Sequence, residues 1–178
     1  MSRQQKRLPH QIDPFRLVEQ RSELSGQVPV SQMKRLAPLV SDDSGQIDVV
    51  LNFDVDELGV PHVRGRLVTT VMLICQRCLE PFEFAVDAQV ALAWIKTERQ
   101  AQELPIRYEP YLVETTPLIL NDIIEDELLL ALPHIPMHDK AVCPATKLLN
   151  TQADDDAVVE EEETENPFSV LAKLKDKD

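Results

Sequence analysis

Ile47, Val49, Leu51, Phe53 and Val55 alternate with Asp48, Val50, Asn52, Asp54 and Asp56, which predicts a strand with one buried face. Gly59 and Pro61 mark the turn that follows. Val63 to Cys75 is rich in Val, Thr and Leu, with apolar residues on both parities toward its end, and reads as a more central strand. Phe82, Phe84, Val86, Ala88, Val90, Leu92 and Trp94 alternate cleanly and predict a third strand, and Tyr108 to Glu114 a fourth. Short connections favour an antiparallel β-meander, either open or closed into a barrel.

The period changes from Leu118 onward. Leu120, Ile123, Ile124, Glu127, Leu128 and Ala131 share a helical face, with Asp122, Glu125 and Asp126 mostly opposite, and Pro133 ends the helix. Before the strands, Asp13-Pro14 reads as an N-cap and first helical residue of a short helix to about Glu23. Ser31 caps a second predicted helix through Leu39. The fold class expected is α+β: short N-terminal helices, the meander, one long amphipathic helix after the sheet and a disordered acidic C-terminal tail. One domain spans 1–150 in this reading, an acidic linker 151–165 and a short amphipathic segment 166–178.

The 178 residues are 43% hydrophobic, enough for a core, and carry a formal net charge of −13. Such a chain does not attract a phosphate backbone by bulk charge and suits a basic partner. The tail concentrates the acidity: Asp154 to Glu165 holds eight acids and no base. Beyond it, Phe168, Leu171 and Leu174 share one face of a short segment, which reads either as a partner-docking helix or as a helix packed on its own domain. The N-terminal 40 residues are the net-basic region, and Arg3, Lys6, Arg7, Arg16 and Arg21 are the candidate RNA contacts, set against a solvated, frayed terminus. No segment has the ~20 apolar residues of a membrane span, and no apolar run follows the charged start as in a secretion signal. Three cysteines do not make a disulfide framework, so a reducing, cytoplasmic setting is expected.

Two of those cysteines, Cys75 and Cys78, stand three positions apart at the tip predicted between two strands. C-x₂-C across a tight turn is what tetrahedral zinc accepts from one segment. Further ligands are on offer after the long helix, in His134, His138 and Cys143; His138 and Cys143 complete the candidate set. Two other readings stand beside zinc. Free cysteines are often plain buried hydrophobes, and C-x₂-C can be a redox pair, although here Arg77 is the only close cation and no helix start lowers a thiol pKa. His10 and His62 read as surface residues, and the acids Asp122, Glu125, Asp126 and Glu127 as a solvated helix face. There is no G-x-x-x-x-G-K-[ST], G-x-G-x-x-G, G-x-S-x-G or H-E-x-x-H, and no catalytic constellation; a non-enzymatic protein is expected.

"CQRCLEPF" (75–82), "IEDELLLALPHIPMHD" (124–139) followed by Cys143, and the terminal "NPFSVLAKLK" (166–175) together resemble the bacterial YceD family of large ribosomal RNA subunit accumulation proteins. The opening from Leu8 to Gln20 and "ELPIRYEP" (103–110) extend the likeness over nearly the whole chain. The resemblance implies a role in synthesis, processing or stability of 23S ribosomal RNA, with a ribosomal protein or pre-50S particle as partner. Direct RNA binding through the basic N-terminal region and a zinc- or thiol-responsive regulator are the competing functions. Some members of the family carry a second C-x₂-C-like knuckle after the helix, where this sequence has His138 and Cys143 instead.

Overall fold

The computed structural model describes residues 8–146. The chain divides into two units, one ending at His138 and the other beginning at Asp139. In the first, β1 (Gln11–Ile12) leads into α1 (Pro14–Glu19). Asp13 Oδ1 accepts from the N–H groups of Phe15 and Arg16, at 3.1 and 3.2 Å, which fixes the start of α1 as the capping pattern predicts. The helix stops short of the expected Glu23, because Arg21 takes a left-handed φ of 47° and the chain turns into β2 (Glu23–Pro29). No helix capped by Ser31 follows. Two short 3₁₀ turns, Val30–Gln32 and Ala37–Leu39, flank an extended Met33, since Pro29 and Pro38 interrupt regular helical bonding. They place Val30, Met33 and Leu36 in the core.

The three long strands are β3 (Gln46–Val55), β4 (Pro61–Ile74) and β5 (Pro81–Ile95). After β5 come a one-turn helix α2 (Glu98–Ala101), β6 (Glu109–Leu112), β7 (Leu118–Ile119) and α3 (Leu120–Ala131). Strands β2 to β5 form an antiparallel meander, with Leu51 opposite Gly65 and Gly65 opposite Val90. Gly65 is required there, because a Cβ would collide with the Val50 carbonyl oxygen. The meander expectation fails at the last strand: β6 lies parallel to β5, Leu92 beside Glu109. Residues 96–108, with α2 among them, give the length that a parallel return needs. The sheet is open, in the order β2-β3-β4-β5-β6, and does not close into a barrel; β1 and β7 make a separate antiparallel pair.

One face of the sheet carries the core. Ile47, Val49, Leu51 and Phe53 of β3, Val63, Leu67, Val71 and Leu73 of β4, and Val86, Val90, Leu92 and Trp94 of β5 are buried. Val18 of α1 and Leu120, Ile123, Ile124 and Leu128 of α3 join that cluster. Each such side chain fully removed from water contributes roughly 1.5–3 kcal/mol, so the alternating pattern is also the main source of stability.

Two polar positions differ from expectation. His62 is only 7% exposed, its ring 4.9 Å from that of Tyr108 and its Nδ1 3.1 Å from the Val60 carbonyl oxygen. Glu125, expected on a solvated face, is 3% exposed. Its Oε1 accepts from the Arg35 and Leu36 N–H groups at 2.6 and 3.0 Å, and its Oε2 from Arg35 Nε at 2.9 Å. The helix thus fastens the irregular segment 30–39, whose own N–H groups lack regular helical partners.

Candidate metal centre

Strand β4 ends at Ile74 and β5 resumes opposite it at Pro81, which leaves Cys75 to Glu80 as the tip of the long hairpin. The tip is closed by two backbone bonds, Leu79 N–H to Cys75 O (2.8 Å) and Cys75 N–H to Glu80 O (2.9 Å). This arc puts both thiols on the same side. Cys75 is buried and Cys78 half-buried, and none of the three cysteines is in a disulfide.

The segment after α3 completes the arrangement. Pro133 forbids further helix, and the extended chain returns to the hairpin tip. Gln76 N–H donates to Pro136 O at 2.8 Å, and Arg77 Nη2 lies 3.5 Å from Met137 Sδ. His138 follows at once: its N–H donates to Cys75 Sγ at 3.4 Å, and its Nδ1 lies 3.3 Å from Cys78 Sγ. Phe82 of β5 packs against the imidazole, ring centres 4.9 Å apart and planes tilted by 38°.

Cys75 Sγ, Cys78 Sγ and a ring nitrogen of His138 all lie within 4.8 Å of one another. Two thiolates on one tetrahedral zinc, each ~2.3 Å from it, stand ~3.8 Å apart, so donors within 4.8 Å of one another need a contraction of about 1 Å at most. The electrostatics agree. Burial disfavours the charged form of Cys75, but the N–H groups of Cys78, His138 and Arg77, with the His138 side chain, outweigh it and bring the thiol down to about 5. A sulfur held as thiolate by backbone donors is a ready ligand for a borderline-soft cation.

His134 is exposed. Cys143, the fourth expected ligand, belongs to the second unit, where its N–H donates to Asp139 O at 3.1 Å. Arg16 is exposed on α1, and Arg21 bridges to Asp54 at 3.4 Å. Arg3, Lys6, Arg7, the acidic stretch 151–165, and Phe168, Leu171 and Leu174 lie outside the described residues. Sequence reasoning missed Phe82 as the support of His138, and it missed the conformation of Leu79. That residue has a φ of +62° and is 72% exposed. Nothing in an apolar letter signals a left-handed backbone; a glycine there would have done so.

Residues 63–175 match the model of the family described as large ribosomal RNA subunit accumulation protein YceD. The chain belongs to the YceD family. It is 34% identical over 177 residues to Large ribosomal RNA subunit accumulation protein YceD of Haemophilus influenzae, covering 98% of this chain and 99% of that protein. No solved structure matches it. The matched YceD region contains β4 from Val63, the hairpin tip, β5, α3 and the return to His138, so the three clustered donors all fall within it. Among the described residues, no helix is long and apolar enough to cross a membrane.

Proposed function

We propose that this protein is a non-enzymatic factor in large ribosomal subunit biogenesis, needed for accumulation of 23S ribosomal RNA, and that it acts in the cytoplasm by docking a ribosomal protein or a pre-50S particle. The observation that carries the reading is membership of the YceD family over nearly the whole chain, with the named function of the Haemophilus influenzae relative. The charge supports docking of a basic protein over grasping of RNA, because −13 opposes a polyphosphate at long range. Within this reading the single α+β domain extends to residue 150, and the acidic arm with Phe168, Leu171 and Leu174 adds a second contact.

Cys75, Cys78 and His138 hold a structural zinc ion in this proposal, and Cys143 is the fourth ligand by spacing. Five residues of chain from His138 reach up to about 17 Å, which is ample for a shared ion. Bound zinc would supply a cross-link between the β4–β5 tip and the segment after α3, and no catalytic step. The test is depletion of the protein in its host, with 23S and 16S RNA quantified together. A fall of 23S relative to 16S, restored by the intact gene, is expected. An unchanged ratio refutes the assignment.

A further inference from the structure

The hairpin tip carries a feature that metal binding does not require. Leu79 directly follows Cys78, and its φ of +62° lies in the left-handed region that disfavours any residue with a Cβ. The turn needs that conformation: only by reversing there does the chain bring Leu79 N–H to Cys75 O and Glu80 O to Cys75 N–H. Glycine would satisfy the turn without strain. Instead the site holds a leucine whose side chain is 72% exposed and so contributes little to the core. The segment fastened to the tip is similarly apolar outward: Ile135 is 63% exposed and Met137 44%, on either side of the Pro136 whose carbonyl accepts from Gln76. Strain kept at an exposed apolar residue, on a tip to which a segment with two others is fastened, marks an interaction anchor.

We infer that Leu79, with Ile135 and Met137, is the anchor by which this protein docks a basic protein of the large ribosomal subunit; this rests on the reading given under Proposed function. The partner is a protein and not bare RNA. Three aliphatic or thioether side chains offer no face for base stacking, and among the charges at the tip the exposed Glu80 and Glu83 outnumber Arg77, so phosphate gains no net attraction there. A positively charged protein surface with an apolar pocket matches both the side chains and the chain's net charge of −13.

The experiment immobilises the full-length zinc-loaded chain and passes over it the proteins extracted from purified large ribosomal subunits, the retained ones being identified and titrated. Leu79→Gly is the variant, with Leu79→Asn, which tolerates the left-handed conformation while presenting a polar group, as the second. We expect both to keep their zinc and to melt within about 2 °C of the unaltered protein or above it, yet to bind the retained protein at least about tenfold more weakly. Equal binding by both variants overturns the anchor while leaving the family function standing. Retention of nothing by the unaltered chain overturns the anchor and protein docking together, and the depletion result then judges the family function alone. Retention of naked 23S RNA that weakens in the variants overturns the partner class. A Leu79→Gly protein that melts far below the unaltered one overturns the argument that leucine is kept there against the backbone's preference.

Discussion

Replacing Glu125 tests whether α3 holds the irregular segment 30–39 in place. Three bonds converge on this carboxylate: two from the backbone N–H groups of Arg35 and Leu36 and one from the Arg35 side chain. Leu36 is 1% exposed, so its N–H has no recourse to water once the acceptor is gone. A buried donor left unsatisfied costs about 1–3 kcal/mol, and hydrogen bonds to charged groups contribute roughly 1.5–3 kcal/mol each. Arg35 retains Asp126, whose Oδ1 lies 2.6 Å from Nη1, which limits the loss on that side. Glu125→Ala is therefore expected to lose about 2–3 kcal/mol, because the buried Leu36 N–H is left unpaired while the half-exposed Arg35 keeps Asp126 and water, and Glu125→Gln about half as much. In a chain of this size the alanine variant should melt lower by on the order of 10 °C. Urea unfolding followed by circular dichroism, with thermal melts in parallel, reads both. The sign of the pH dependence follows from the same contacts. Burial works against ionisation of Glu125, but the Leu36 N–H and the Arg35 side chain and N–H outweigh it and hold the carboxyl below its ordinary 4.5. Its contribution is thus present above pH 4.5 and lost as pH falls through the lower folded value, so Glu125→Gln should flatten the acid limb of the stability curve. A loss below about 1 kcal/mol in Glu125→Ala, with an unchanged acid limb, would refute the clamp.

Asp56 is held at about 2, chiefly by the Val60 N–H, with Arg107 at 2.6 Å and the Leu58 N–H adding to it against burial. Its contribution is complete above the ordinary 3.8 and disappears toward pH 2, so Asp56→Asn should remove stability that the unaltered protein keeps at pH 4, as acid titration by circular dichroism will register. For Cys75, zinc-free protein should show ultraviolet thiolate absorbance that titrates near 5 and vanishes in Cys75→Ser; a thiol titrating near its ordinary 9.0 would contradict the hydrogen bonding at the tip.

The long strands were legible because their alternation is strict: Ile47 to Phe53 and Val86 to Trp94 are buried at every second position. β2 was not, since Glu23 to Pro29 buries only Val28 and holds a glycine and a proline; it is a strand because β3 offers it an edge. The parallel pairing of β6 was invisible for a similar reason, as pairing direction depends on where a returning chain finds room. The helical period of α3 was correct in the main, but hydrophobicity alone placed Glu125 outward. Its burial is decided by Arg35, some ninety residues earlier in the chain. The candidate metal ligands of the first unit were readable from C-x₂-C spacing and a histidine after a proline stop, because chelation demands particular residue types. The supports of those ligands were not readable. Phe82 behind His138 and the left-handed Leu79 follow from three-dimensional closure of the hairpin tip.

Zinc content of the full-length protein, purified without a histidine tag and measured by elemental mass spectrometry alongside Cys78→Ser, decides whether the hairpin tip is a metal centre. About one zinc per chain is expected in the unaltered protein, retained through purification, and loss of that ion with a lower melting temperature in the variant. Less than about one ion per ten chains, with an identical melting temperature after chelator treatment, would contradict it.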